Sequence, residues 1–489
     1  MSRQQQGKSV AVVGAGAAGL AACKQLLEEG HSPCVFEAAE APGGVWLLSD
    51  QVESDALGSD PNRRRVHSSM YNNLRTNLPR ELMSYPSLAF DDACGDTRRF
   101  AGHEAVANYL AAYEEAHALR SRARRFEFGT RVVKAAPVSR ASGEPVVLPP
   151  ADWRRPGDAI DAVAAAGGED NLSWRVTTEG ADGERREEVY DALCVCNGHY
   201  SEPRVAPIDG ADKFPGAVMH SHNYREPSVF AGKRVVIVGA GASGEDIARE
   251  VATVADEVHL SARSWKELVP GFSPSVDDAA VGARGNVWRR GGLEGLGAAG
   301  EARFACGAVV KEVDCVLLAT GYLYSFPFLE GSSAIAVEDN RVGPLYEHMF
   351  HPALGASLSF IGLCWRVVPF PQFELQAAFV AAALSGRAKL PSAHAMADAA
   401  AEHYARLAAD GVPQRHTHML GRSQFEYNDR LADGAGVPRL PSWREEMYTL
   451  TGQSKRANPD SYRDVHQDEH LLPLVDASFD PDKVAAAAC

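Results

Sequence analysis

Short apolar runs that stop at glycine recur along the chain, and after two of them the spacing of apolar residues changes from strand-like to helix-like. Val10-Ala-Val-Val13 and Val235-Val-Ile-Val238 are unbroken apolar runs, each followed at once by a glycine-rich stretch. Apolar positions then return at helical intervals, predicting one helix from about Ala17 to Glu28 and another reaching Val254. Pro33-Cys-Val-Phe-Glu37 and Glu257-Val-His-Leu-Ser-Ala262 predict a second strand after each helix. Two further runs, Ala192-Leu-Cys-Val-Cys-Asn-Gly-His199 and Asp314-Cys-Val-Leu-Leu-Ala-Thr-Gly-Tyr322, also read as buried strands ending at glycine, and they bracket the second unit. Such paired stops are expected of a chain that leaves one domain, builds a second and returns to the first. The remaining pattern is weaker. His103 to Leu119 has helical spacing, Tyr71 to Met83 reads as a loop of polar groups, and Pro137 to Gly168 reads as a surface insertion. Gly282 to Gly307, rich in glycine and without a clear period, reads as surface excursions.

The glycine stretches carry the first chemistry. In Val10-Ala-Val-Val-Gly14-Ala-Gly16-Ala17-Ala18-Gly19 the three glycines let a strand turn sharply into a helix whose free N–H groups face a pyrophosphate. Glu37 ends the next strand, 23 residues past Gly14, where an acid holds a ribose diol. The second turn uses Gly239, Gly241 and Gly244, with Ser243 either bonding the pyrophosphate or capping the helix. No acid ends its second strand. Ser261 and Arg263 stand there instead, and a guanidinium suits a 2′-phosphate, so the second dinucleotide is expected to be NADPH. The expected fold class is therefore α/β with two Rossmann-like dinucleotide-binding domains, the second inserted into a discontinuous first, over 1–198, 199–322 and 323–489.

Composition narrows the partners. Forty-nine basic against sixty-four acidic side chains leave a formal charge of −15 over 489 residues, which disfavours nucleic acid and anionic lipid. The polar opening residues do not read as a secretory signal, and no apolar run is long enough to cross a bilayer, so a cytoplasmic, soluble protein is expected. Nine scattered cysteines form no CxxC pair, which removes a disulfide-reductase centre, and Cys194 and Cys196 read as thiols on one strand face. No metal site is expected.

Upstream of the second turn, Phe214-Pro-Gly216-Ala-Val-Met-His220-Ser-His-Asn-Tyr224 matches every fixed position of FxGxxxHxxx followed by Tyr or Phe. On this segment the chain resembles the flavin-containing monooxygenases. Gly43-Gly44-Val-Trp46 resembles the family's loop beside the flavin, Thr76-Asn77-Leu-Pro79 its flavin-facing segment, and Ala319-Thr320-Gly321-Tyr322 its inter-domain segment. The run from Pro344 to Pro391 is similar to the closing half of the flavin domain. Leu74-Arg-Thr-Asn-Leu-Pro-Arg-Glu81 and Cys196-Asn-Gly-His-Tyr200 are nearest in flavour to plant S-oxygenating members. Tyr224-Arg225 stands where the Baeyer–Villiger class has Trp-Pro, which favours heteroatom oxygenation.

The resemblance implies that NADPH reduces FAD, that dioxygen adds at the flavin C4a carbon, and that the resulting hydroperoxide oxygenates a thioether, thiol or amine. It makes Asn77 the candidate hydrogen-bond partner of that adduct, against the alternative that Asn77 only caps a loop before Pro79. Tyr224 either touches the nicotinamide half of NADP⁺ or packs the hinge, and His220 reads as structural. Alternatives are Baeyer–Villiger ketone oxygenation, an uncoupled NADPH oxidase producing hydrogen peroxide, and a non-catalytic flavoprotein that senses NADP(H); a homodimer is left open.

Overall fold

The computed structural model describes residues 7–479 other than 267, 268, 270, 271 and 277. The opening residues 1–6, on which part of the signal-peptide reading rests, lie outside the described residues, as do 480–489.

Strand β1 (Ser9–Val13), helix α1 (Ala17–Glu28) and strand β2 (Ser32–Phe36) form the first predicted unit within a residue of the expected bounds. They nucleate a six-stranded sheet in the order Phe350–His351, Gly355–Phe360, Ala192–Val195, β1, β2, Arg125–Glu127. All neighbours run parallel except the Phe350–His351 edge strand. The second unit, Arg234–Val238, Ala242–Val251 and Glu257–Ser261, lies in a separate five-stranded, all-parallel sheet. Its outer strands are Val287–Arg290 and Ala217–His220, with Cys315–Leu318 beside Arg234–Val238. Chain segments before and after this sheet both return to the first one. The fold is thus α/β with one nucleotide-type sheet inserted in the course of another.

Helix Pro369–Ser385 closes the first sheet from the side of α1. It is buried nearly all round, from Phe370 and Pro371 through Leu384, as expected of a helix apolar on every face. Its polar residues are consumed internally: Glu374 accepts from Lys24 Nζ at 2.7 Å, with both side chains 6% exposed. Gln376 Nε2 donates to Tyr427 Oη, and Gln376 Oε1 accepts from the Gly362 amide.

Three weakly patterned regions differ from expectation. Pro137–Gly168 is not confined to the surface. It completes the strand Thr130–Ser139, forms the helix Pro156–Ala165, and sends Val146, Leu148 and Val163 into the core beside Trp174. An Ala- and Gly-rich sequence hides so short an apolar stripe. Gly282–Gly307 contains the sheet strand Val287–Arg290 and starts an antiparallel meander of Leu293–Leu296, Ala302–Phe304 and Val309–Val310. Strands of three or four residues between glycines are too short to display alternation. Tyr71–Met83 is a loop only as far as Pro79, after which Arg80–Met83 form a helical turn. Among the described residues, no helix is long and apolar enough to cross a membrane.

Candidate active site between the two nucleotide turns

Both glycine turns are built by contacts that admit only hydrogen at Cα. Gly14 has φ +100°, and a Cβ there would lie 2.7 Å from the Cys196 carbonyl oxygen; one at Gly19 would lie 1.8 Å from the Gly14 oxygen. The second turn repeats this, with Gly239 at φ +107° and 2.4 Å from the Ala319 oxygen, and Gly244 at 1.8 Å from the Gly239 oxygen. The strand after each sheet centre, Ala192–Val195 or Cys315–Leu318, therefore supplies the wall against which the turn closes. Neither helix has a side-chain N-cap, so the first N–H groups at Ala17 and Ala18, and at Ala242 and Ser243, are left for an external acceptor. A Cβ on Gly241 would meet nothing within 4 Å, so this turn faces open space. These uncapped cradles fit the pyrophosphates of two dinucleotides.

Glu37 is buried and already tied to the first turn. Its Oε2 accepts from the Ala15 amide at 2.6 Å and its Oε1 from the Ala39 amide at 2.8 Å. A carboxylate offers about four acceptor sites, so acceptor capacity remains for a diol. Gly44 passes over Gly16, with 3.4 Å from the Gly44 Cα to the position of a Cβ on Gly16. That close approach brings the Gly44–Trp46 turn beside the helix start.

The two domains meet at a cleft of ≈ 180 Å³. Trp46, Thr76 and Asn77 from the first domain face Ala242 and Ser243 at the start of the second glycine-turn helix. Asn77 is exposed to the cleft, whereas Thr76 is buried and its hydroxyl has no hydrogen-bond partner. Trp46 is held edge-on against Phe370 at 6.3 Å. Four residues chosen from three separate motifs thus converge.

Others do not. Ser261 is 1% exposed and its hydroxyl donates to the Gly291 carbonyl at 2.8 Å, so it is not presented to a 2′-phosphate. The strand is buried on both faces from Val258 onward, and residue 261 is its last residue, still inside the sheet. Arg263, past the strand end, is exposed beside Gly292. Tyr224 is likewise withdrawn: it is 1% exposed, edge-on to Tyr71 at 5.3 Å, and its hydroxyl donates to Glu250 at 2.5 Å. It packs beneath the second helix. Thr320 spends its hydroxyl on the Arg204 carbonyl, and the Gly321 carbonyl accepts from His220 Nε2 at 3.1 Å.

The segment Phe214–Tyr224 is accordingly a packed support between the two sheets. A Cβ on Gly216 would lie 2.6 Å from both the Phe214 ring and the Asp314 oxygen. His220 is fully buried, and Nδ1 accepts from the His222 amide at 3.1 Å, which fixes the neutral tautomer protonated on Nε2. Burial pushes its pKa down to about 4, with His222 as a lesser cause. Arg225 donates to the carbonyls of Ser49, Gln51 and Ser68, binding the chain that follows Trp46. Cys194 and Cys196 are buried thiols with their sulfurs 3.7 Å apart.

Sequence reading missed the far wall of the cleft. Asp246, Arg249, Lys455, Tyr462 and Arg463 line it together with Tyr71 and Arg75. Asp246 and Arg249 lie on the second glycine-turn helix, whereas Lys455, Tyr462 and Arg463 reach the cleft only through packing of the C-terminal segment, and no local pattern distinguishes any of them.

The geometry agrees with what the chain is similar to. The flavin-binding monooxygenase-like family model matches residues 7–172, 169–270 and 290–442. Flavin-containing monooxygenase FMO GS-OX-like 4 of Arabidopsis thaliana is 42% identical over 480 residues, covering 96% of each chain. FMO GS-OX5 of the same plant is 41% identical over 474 residues, covering 95% of this chain and 93% of its own. Among solved structures, S-allyl-L-cysteine S-oxygenase from Allium sativum superposes with a TM-score of 0.84 at 39% identity, covering 96% of this chain and 98% of that one. Tmm from Pelagibacter, at 22% identity and a TM-score of 0.71 over 94% of this chain and 93% of its own, shares the fold. Matched by the family model in three segments and by relatives almost end to end, this chain belongs to the flavin-binding monooxygenase-like family and is a FAD- and NADPH-dependent monooxygenase.

Proposed function

We propose that the enzyme uses NADPH and dioxygen to add one oxygen atom to a nucleophilic sulfur of a small molecule, a thioether or thiol before an amine. The observation that carries this reading is the convergence of Trp46, Thr76 and Asn77 with Ser243 on one cleft. The sulfur preference is supported by similarity to the Allium S-oxygenase and the plant GS-OX proteins.

In this reading residues 1–198 and 323–489 hold FAD and 199–322 hold NADPH. The N–H groups at Ala17 and Ala18, with Gly14, Gly16 and Gly19 allowing close approach, take the FAD pyrophosphate, and Glu37 takes the ribose diol. Gly44, Trp46, Thr76 and Asn77 face the flavin. Gly239, Gly241, Gly244 and Ser243 take the second pyrophosphate, and Arg263 takes the 2′-phosphate. When bound, the flavin supplies hydride acceptance and oxygen activation, which no side chain can perform. Asn77 contributes an amide that both donates and accepts without a titrating proton, so it can hold an oxygen substituent without delivering a proton that would release peroxide. A cytoplasmic location suits a protein whose described cysteines are all thiols.

Incubating the FAD-loaded enzyme with NADPH and isotopically heavy dioxygen, over a panel of thioethers, thiols, amines and ketones, tests the proposal by product mass spectrometry. One labelled oxygen on sulfur is the expected result. Label in an ester formed from a ketone, or hydrogen peroxide as the sole product with every compound, overturns it.

A further inference from the structure

A side chain from the C-terminal segment bridges the two nucleotide domains at the cleft. The helix Trp443–Ala457 is anchored on the first domain, where Trp443 and Met447 pack with Leu82 and Val368. Beyond it, Arg463 uses all three guanidinium nitrogens. Nε donates to the Thr76 carbonyl at 3.0 Å, Nη2 to the Arg75 carbonyl at 3.2 Å, and Nη1 to Asp246 Oδ1 at 2.6 Å. Asp246 sits two residues after Gly244 on the second glycine-turn helix, and its other oxygen accepts from Tyr71 Oη at 2.6 Å. The pair is shielded, with side chains 15% and 10% exposed, so water competes weakly for it. Lys455 pairs with Glu245 at 3.0 Å and Arg249 donates to the Pro459 carbonyl at 3.3 Å, so the same segment grips that helix at two further points.

The Thr76 carbonyl belongs to the peptide bond that precedes Asn77. Because that unit is planar, holding its oxygen orients the backbone from which the Asn77 amide projects. The same guanidinium holds the helix that begins with Ser243. We propose that Arg463 is a positioning residue that couples occupancy of the NADP(H) turn to the placement of Asn77, so that nucleotide retention and protection of the oxygenated flavin rise and fall together. Arg463 lines the cleft, and the role proposed for it is exerted through its bonds to Thr76 and Asp246. The inference rests on the functional reading above for the roles of Asn77 and Ser243.

The test compares wild type with Arg463→Gln, Arg463→Lys and Asp246→Asn as FAD-loaded full-length proteins. Three readouts are NADP⁺ affinity by calorimetry, hydrogen peroxide released per NADPH consumed, and amide exchange across residues 72–79. R463Q is expected to weaken NADP⁺ by about tenfold, within the usual range for coupled sites, to raise the peroxide share and to speed exchange at Thr76 and Asn77. Lysine can meet Asp246 but cannot fork to two carbonyls, so R463K should recover part of the NADP⁺ affinity while exchange at Asn77 stays fast. D246N removes the other end of the same tie, so it should weaken NADP⁺ and raise the peroxide share together, by less than R463Q, and it carries the test if R463Q does not fold. Wild-type NADP⁺ affinity and peroxide share in R463Q, or in D246N should R463Q not fold, overturn the coupling while leaving the functional reading intact. A wild-type protein that will not take up FAD or ignores NADPH overturns both.

Discussion

At the scale of single residues, what matters is whether a polar atom is spent inside the protein or left facing the cleft. Asn77 is exposed there, whereas the hydroxyls of Ser261, Tyr224 and Thr320 are all consumed by internal partners. Replacing Asn77 by Ala is therefore expected to leave NADPH oxidation running while oxygenated product falls about a hundredfold and peroxide takes its place, of the order seen when one preorganised donor is removed. Peroxide and product assayed in the same reaction check this. Arg263→Ala removes an exposed guanidinium whose proposed partner exists only on NADPH. Its KM for NADPH should rise by about tenfold, as loss of one charged contact does, while that for NADH is unchanged. Steady-state kinetics with both nucleotides decide it.

At the scale of elements, the first sheet is covered by α1 packed against the helix Pro369–Ser385, with one buried charge pair between them. Burial alone would lower the Lys24 pKa, but Glu374 and Glu28 outweigh it, so the group stays charged in the folded protein. Glu374→Ala leaves that ammonium with only the half-exposed Glu28 and should cost about 3–5 kcal/mol, the usual consequence of breaking a buried pair from one side. The double variant Lys24→Met with Glu374→Leu should recover most of the loss, because apolar residues of similar volume need no compensation. Chemical denaturation of the three proteins measures both effects. Loss of FAD without loss of stability in E374A would contradict the account.

At the scale of the whole molecule, a set of buried neutral histidines shapes the response to acid. Burial pushes His220, His222, His259 and His351 down to about 4, and His418 to about 3, with neighbouring charges making smaller contributions to all but His351. Unfolded histidine titrates near its ordinary value of about 6.5. Above that pH both states are neutral and the histidines contribute nothing to the pH dependence. Below it the unfolded chain binds protons that the folded protein refuses, so stability falls from about pH 6.5 to about pH 4, at up to about 1.4 kcal/mol per pH unit for each group. The unfolding temperature should accordingly drop between pH 7 and pH 5. His351, whose Nδ1 accepts from the Ala353 and Leu354 amides, offers a single-site check. His351→Asn, which retains an acceptor that does not titrate, should flatten that slope in calorimetry.

The local signals were strong enough to read because each is complete within a few residues. Gly14 with Gly19, and Gly239 with Gly244, are demanded by contacts inside one strand-to-helix turn, and the flanking strands and helices follow within a residue, except that the second helix ends at Val251, three residues short of the expected Val254. From these the α/β class, the insertion of one sheet in the course of the other and the cofactor pair were legible. The short strand Val287–Arg290 and the core contacts of Val146 and Val163 were not, since their apolar positions acquire meaning only beside strands distant in the chain. The interior of the cleft shows the same division. Glycine spacing by itself determined where two pyrophosphates can lie, because backbone sterics act locally. Tertiary structure alone decided that Tyr224 turns inward and that Arg463 reaches Thr76 across 387 positions, because those contacts exist only after both sheets have packed.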